Sequence, residues 1–397
     1  MAIGGAASRA RKYNRPEPSI QNDELSPHGY VHALFRETGR ARRGPRGIAL
    51  LVSLADRLRA RIAHEGPLSF RDFMAAALYD AQDGYYARGA SIGERGDFVT
   101  SPYVSPAFAA TIARRLAEDA AKLPGPIDFV EVGAGEGKFL EDLTRVLARE
   151  APGVLARLRP VAIDRSPAAR RALSARAIKP APRFLESAEQ LAERSVTGWI
   201  FSNELYDALP VVRVAGTDQG LDELRVDTEG DRFVWSRARA PEAYREYLAS
   251  FDVKLEAGQV GEISFAAGPL HRRLARALER GRIVAFDYGH TARVLYHPEA
   301  RRNGTLAVHF AGFRRGDPLS RPGEVDLTAH VNWDDLRRAG EEEGLTTVAI
   351  ERQGHYLAEA GIFDFAADEK EKWRVYRLVD PEGMGEELSV LIQSGGI

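Results

Sequence analysis

Gly133, Gly135 and Gly137 stand at alternate positions just after an apolar run that ends in an acid, in the segment 127–140, IDFVEVGAGEGKFL. This is the pattern of a strand, a tight turn and a helix N-terminus that together receive a nucleotide-like ligand. Glycine permits positive φ and leaves no Cβ where a ligand must approach the backbone. Glu131, on the strand before the turn, selects among such ligands. A carboxylate repels a pyrophosphate and attracts an ammonium, so the ligand implied carries a positive amino-acid head, as S-adenosylmethionine does. The G-x-G-x-G spacing also departs from the dinucleotide pattern G-x-G-x-x-G, whose third glycine would fall on Lys138. A nicotinamide-dependent dehydrogenase fails on both counts.

Asp164, in VAIDRSP, stands 27 residues after Gly137. At the end of a second strand it can accept both hydroxyls of an adenosine ribose, or it can serve as the N-terminal acid of a helix that Ser166 caps and Pro167 opens. The segment WIFSNELYDALPVVRV joins a buried strand to a polar cluster, Asn203, Glu204 and Asp207. In open α/β sheets ligands bind beyond the carboxyl ends of the strands, so this cluster should share a crevice with the glycine turn. VAFDYGH ends another strand with Asp287, Tyr288, Gly289 and His290, a second group of candidates. DLTAHVNW, with Asp326, Thr328 and His330, reads first as a helix start and second as a site.

The elements that must hold these residues alternate. Apolar spacing predicts helices over 49–61, from Phe70 to about Tyr79 with Ser69 as cap, and over 107–122. Strand and helix signals then follow in turn: strand 127–132, helix from Lys138, strand 160–164, helix from Ser166, strand 198–203. Strands near 283–287 and 345–351 come next, and the strand series ends with WRVYRLV and LSVLIQ. The alternation predicts an α/β fold, a mostly parallel Rossmann-like sheet with helices on both faces. The chain divides into a basic arm at 1–46, an N-terminal helical and lid segment at 47–125, and the sheet domain at 126–397. Stretches at 210–282 and 288–332 exceed ordinary connections and read as insertions that build a substrate-facing subdomain.

The 397 residues are 44% hydrophobic and 28% charged with net charge −2, ordinary for a globular protein and no reason to expect nucleic acid as partner. There is no cysteine, which excludes disulfides and thiolate metal sites, and the nine histidines show no metal-ligand spacing. No metal and no membrane insertion are expected. The arm at 1–46 holds nine Lys/Arg against four Asp/Glu with few large apolar residues, a composition that supports no core.

GPLSFRDFMAAALYDAQDGYY, GERGDFVTSPYVS, FVEVGAGEGKFL, SNELYDALPV, DYGH, PGEVDLTAHVNW, RQGHYL and DPEGMGEELSVL occur in this order. In order and spacing they resemble the MidA-like S-adenosylmethionine-dependent methyltransferases, whose eukaryotic members are mitochondrial complex I assembly factors known as protein arginine methyltransferases. The resemblance spans about 66–391. It implies a class I methyltransferase fold that binds S-adenosylmethionine, with Glu131, Gly133, Gly135 and Gly137 at the methionine moiety, Asp164 at the ribose and Asn203 beside them. Gly96, Asp97, Thr100, Ser101 and Pro102, in GDFVTSP, fall in the family's lid over the cofactor. It further implies a protein substrate, a homodimer as one open assembly, and a bacterial cytoplasmic or, in a eukaryote, mitochondrial matrix location. Two departures stand out: the common G-P-G-R-G turn reads GAGEG here, with Ala134 and Glu136, and AVHFAG follows Thr305 and Leu306, which leaves the substrate open.

An arginine acceptor makes demands of its own. With a pKa near 12.5–13.8, roughly one guanidinium in a million is neutral at pH 7. Carboxylates must therefore orient it and take its proton during transfer. Glu204 is the first choice, Asp207 or Asp287 the second, and His290 a proton relay. A cofactor-binding scaffold without turnover remains the alternative. Deleting residues 1–46 should leave the melting temperature nearly unchanged; a large drop in a thermal melt would show that the arm packs on the domain.

Overall fold

Eight strands among the described residues form the large sheet, seven of them numbered here along the chain: β1 Ile127–Val132, β2 Leu158–Ile163, β3 Arg183–Leu185, β4 Val196–Asn203, β5 Leu278–His290, β6 Thr346–Arg352 and β7 Leu388–Gly395, with the short pair Val331–Asn332 added beside the end of β5. The structure, a computed structural model, describes residues 53–88, 99–310 and 316–397. The arm at 1–46, and Gly96 and Asp97, lie outside the described residues. The spatial order is β6-β7-β5-β4-β1-β2-β3. All neighbours run parallel except β7, which is antiparallel to both β5 and β6. The order reverses between β1 and β4, and a crevice opens at their carboxyl ends, where α/β sheets take their ligands.

Burial on both faces explains why the strands read as apolar runs. All six residues of β1 are buried. On one face the helices Pro106–Ala120, Lys138–Glu150 and Glu369–Val379 bring Phe108, Phe139, Leu143 and Val375 onto Phe129, Phe201 and Phe286. On the other, the helix Ala267–Ala277 sets Leu274 and Ala275 against Val130, Ile200 and Ile283. The segment WRVYRLV is not a strand. Its β-branched and aromatic residues favour one locally, but Val375 and Leu378 are the buried pair while Trp373 and Tyr376 face water, a spacing of three that only a helix gives. The Asp368 side chain caps it by accepting from Glu371 N–H at 2.8 Å.

A second, antiparallel sheet comes mostly from the stretch after β4: strands Val212–Thr217, Gly220–Glu229, Arg232–Arg239 and Val260–Ile263, joined by the pair Leu68–Ser69. The helices Leu54–Glu65 and Phe70–Tyr79 lie against it, with Phe70, Phe73 and Met74 packed among Val226, Phe233 and Leu327. Ser69 caps the second of these helices, its Oγ accepting from Asp72 N–H at 3.1 Å. The first starts at Leu54 behind a Ser53 cap. The helix Ala267–Ala277 then returns the chain to the large sheet.

One close approach holds β4 against β5. Gly198 and Gly281 face each other in register, with φ of +140° and +137°. A Cβ on Gly281 would lie 1.8 Å from the Gly198 carbonyl oxygen, and one on Gly198 would lie 2.1 Å from the Asp128 carbonyl oxygen. Only glycine fits either place. Gly281→Ala should therefore cost at least about 2 kcal/mol, read as a lower urea midpoint; an unchanged midpoint would show that the strands can part without cost.

Candidate active site

The glycine turn leaves β1 with Gly133, Gly135 and Gly137 at φ of +76°, +51° and +76°. Their surroundings differ. A Cβ on Gly135 would meet nothing within 4 Å, whereas one on Gly133 would touch Leu205 Cδ1 at 3.0 Å and one on Gly137 would strike Leu173 Cγ at 2.5 Å. Gly135 thus borders open space, Gly133 lets the turn touch the loop after β4, and Gly137 lets the helix Pro167–Ser174 pack closely. Asp164, just past β2, accepts from Gly135 N–H through Oδ2 and from Ser166 N–H through Oδ1, each at 2.8 Å. Asp164 thus steadies a helix start, where Ser166 Oγ takes the cap, and it also ties that start to the glycine turn.

Two buried acceptor atoms at this place have no hydrogen-bond partner among the described residues, Glu131 Oε2 and Asn203 Oδ1. They end adjacent strands, since Val132 pairs with Ser202. Burial, and then the charge of Asp164, push the Glu131 carboxyl well above the usual carboxylate range. A ligand that brings N–H donors and a positive charge relieves both defects. The amino-acid head of S-adenosylmethionine is such a group, and the open space over Gly135 is the cradle that a side chain would fill. These residues fit that cofactor.

The loop after β4 is held by β5. Asp287, fully buried, accepts through Oδ2 from the N–H groups of Leu205 at 3.0 Å and Tyr206 at 2.7 Å, and through Oδ1 from Tyr288 N–H at 2.8 Å. Its oxygens are spent on backbone, so it positions the loop and is not placed to grip an acceptor. Burial pushes its carboxyl up to about 7 despite those bonds. Glu204, at the head of the loop, has φ +50°, a rare conformation for a residue with a side chain. Its carboxylate takes hydrogen bonds from Asn203 Nδ2 at 3.0 Å and from the Ser101 N–H. Burial first, then the charge of Asp287, push it up to about 8.

Asp207 is buried and lies well above the usual carboxylate range, through burial and the charges of Asp287, Glu204 and Asp326. Asp326 is the member of this cluster that its sequence context hid. Within DLTAHVNW the helix start is Asn332, whose Oδ1 accepts from Asp334 N–H, and Asp326 instead begins a short strand, Asp326–Thr328. The signal was an acid between Val325 and Leu327, two residues after Glu324. Asp326 Oδ1 accepts from the Tyr86 hydroxyl at 3.0 Å; Tyr86 stacks on Tyr79, whose hydroxyl donates to the Ala208 carbonyl at 2.8 Å. Among the described residues no lysine or arginine pairs with Glu204, Asp207 or Asp287, and the charges that act most strongly on Glu204 and Asp207 are negative.

Thr100, Ser101 and Pro102 are buried, and the Ser101 N–H bonds the Glu204 carboxylate. Ser101 Oγ donates to Gln353 Oε1 at 2.9 Å, while Gln353 Nε2 donates to the Leu378 carbonyl at 3.0 Å. Two distant motifs, VTSPYVS and RQGHYL, so meet behind Glu204. His290 is placed elsewhere. It contacts Arg301 and is pushed down to about 4 by burial and by the charges of Arg301 and Arg352. Such a neutral imidazole among guanidiniums is a poor proton relay, a correction to its expected role.

Gly135→Val fills the cradle and meets no packed neighbour, at the cost of backbone strain at φ +51°, so its binding is read in protein shown by its melt to be folded. It should abolish S-adenosylhomocysteine binding in calorimetry while the protein stays folded, whereas Gly137→Ala should act through stability because it strikes Leu173. Unchanged affinity in folded Gly135→Val would remove the turn from the site.

Comparison with known proteins agrees with this geometry. The sequence profile of a family of S-adenosyl-L-methionine-dependent methyltransferases matches residues 111–350. A crystal structure from Burkholderia thailandensis, described as a methyl transferase and bound to S-adenosyl-homocysteine, superposes with a TM-score of 0.76 at 34% identity, over 87% of this chain and 92% of that one. The mitochondrial protein arginine methyltransferase NDUFAF7 homolog of Drosophila melanogaster is 27% identical over 324 residues, 74% of this chain and 71% of its own. The human protein arginine methyltransferase NDUFAF7 is 25% identical over 338 residues, 76% and 72% of the two chains. That profile covers more than half of the chain and the Burkholderia protein is 34% identical over most of both chains, so the chain belongs to this family of S-adenosylmethionine-dependent methyltransferases.

Proposed function

We propose that the methyl acceptor is an arginine side chain of a protein, held by Glu204 and Asp207 in front of the cofactor. The observation that carries this reading is the acid cluster at the ends of β4 and β5, in which no lysine or arginine among the described residues balances Glu204 and Asp207. A guanidinium supplies the missing charge and presents planar donors that match a carboxylate. The names of the mitochondrial relatives as protein arginine methyltransferases support it.

Bound S-adenosylmethionine supplies an electrophilic methyl carbon on a sulfonium. In this reading Glu131 and Asn203 hold its amino-acid head, Asp164 its ribose, and Gly135 gives it room. Glu204 orients the guanidinium so that one nitrogen faces the methyl group, and it accepts the proton which that nitrogen loses. A carboxyl pushed up to about 8 is a stronger base than an ordinary glutamate, which suits this task. Asp287 keeps the loop in place, and Ser101 N–H and Asn203 Nδ2 aim the carboxylate. A subunit of respiratory complex I or its homologue is a fitting acceptor. The location would then be the mitochondrial matrix in a eukaryote and the cytoplasm in a bacterium.

Glu204→Gln keeps the shape and removes both charge and base, so cofactor affinity should persist while transfer to arginine falls by at least about a hundredfold. Transfer at the unaltered rate, or a labelled small molecule as product in a proteome incubation, would defeat the reading. The pH dependence follows in sign. Below about pH 8 Glu204 carries its proton in the empty protein and can neither hold the guanidinium nor accept a proton. Acceptor kcat/KM should therefore rise between pH 6 and 8, by up to about tenfold per pH unit, and titration calorimetry in buffers of different ionisation enthalpy should show proton release on binding. For stability the sign is opposite. A folded pKa above the unfolded value favours the fold below the unfolded pKa, and this contribution fades as pH rises toward 8.

A further inference from the structure

A cavity of about 850 Å³ opens just beyond the acid cluster, lined by His290, His330, Arg213, Arg301, Asn303 and Arg352 among others. None of these residues serves the chemistry described above. His290 stands three residues beyond Asp287 on β5 and His330 four beyond Asp326, so the cavity lies about 10 Å from the acids at ~3.3 Å per residue. Three residues of an extended substrate chain cover that distance.

Its wall is rich in donors. Arg213 binds Glu262 Oε1 through Nε at 3.1 Å and the Asn303 carbonyl through Nη2 at 3.1 Å. Arg352 binds Glu386 Oε1 through Nε at 3.0 Å and Ser389 Oγ through Nη1 at 3.1 Å. These bonds lock both planes, and each guanidinium, with five N–H groups, keeps donors beyond them. Because Arg301 can only donate, His290 must accept at Nε2, which leaves its proton on Nδ1 as another donor. Burial first, and then the charges of Arg301 and Arg352, keep His290 neutral, while Glu386 and Glu387 also line the cavity. The volume exceeds what a lone small anion needs and suits a side chain with its stretch of backbone.

We infer that this cavity is a specificity pocket that takes the carboxylate of an aspartate or glutamate lying two to four residues from the acceptor arginine of the protein substrate. The inference rests on the arginine reading above, and its test does not depend on turnover. The full-length protein, immobilised and saturated with S-adenosylhomocysteine, is offered an arginine-centred peptide library with four randomised positions on each side, and the captured peptides are sequenced by mass spectrometry. Asp and Glu should be enriched at least threefold over Asn and Gln within four positions of the arginine. Arg352→Gln, confirmed as folded by its melting temperature, should bring that ratio to parity. Should Arg352→Gln fail to fold, Arg301→Gln is read in the same way. Capture without acid preference, no capture at all, or a preference unchanged in the variant overturns the inference. Inorganic phosphate is the competing small anion: if it binds the protein and loses binding in the variant while the library shows no acid preference, the cavity is an anion site and not a substrate pocket. A lysine-centred library captured equally well, with the same acid preference, would unseat the arginine reading and leave the pocket standing.

Discussion

The structure turns on a concentration of buried acids, and among the described residues no lysine or arginine pairs with Glu204, Asp207 or Asp287. Glu204, Asp207, Asp287 and Asp326 gather where β4 and β5 end, and Glu131 lies one strand away with an unpartnered oxygen. Carboxylates removed from water are costly, and each raises the pKa of its neighbours. Such an arrangement persists only when the rest of the fold over-determines it. Here the aromatic core between Phe108, Phe139, Phe201 and Phe286 anchors the strands, and three backbone N–H groups fasten Asp287. The missing positive charge has to come with the ligands, and a sulfonium donor with an ammonium head and a guanidinium acceptor both carry it.

The two subsites follow from one feature of topology. At the reversal of strand order β1 and β4 lie side by side, so Glu131 and Glu204 end neighbouring strands spaced ~4.8 Å apart. The glycine turn and the acid loop touch through Gly133 and Leu205. Methyl transfer needs donor and acceptor in line and close, and adjacent strand ends provide this without moving parts. The second sheet and the N-terminal helices add the far wall: Tyr79 and Tyr86, a stacked pair, tie the Phe70–Tyr79 region to Ala208 and Asp326. In the proposed reading, the long insertions after β4 and β5 would border the acceptor side.

Local chemistry made much of this legible in advance. A glycine turn after an apolar strand, an acid at a strand end, Ser69 and Ser166 as caps and the alternation of strand and helix all depend on residues within a few positions of one another. Side-chain type and spacing decide them. The same logic misread WRVYRLV, because β-branched composition does not reveal which residues a neighbouring helix will bury.

The rest was decided by pairings across the chain. That Asp287 spends its oxygens on the 205–207 backbone, that Asp326 joins Asp207, that Gln353 meets Ser101 across 252 positions, and that His290 sits among arginines instead of carboxylates are facts of long-range packing. An acid in a sequence is only a possible charge. Whether it is ligand, strut or base depends on burial and on which donors reach it, and those are set when distant strands take their places. The sequence by itself determined the sheet, the cofactor turn and the supply of acids; only the tertiary structure assigned the acids their work, because hydrogen bonds and desolvation are properties of neighbourhoods that the chain order does not contain.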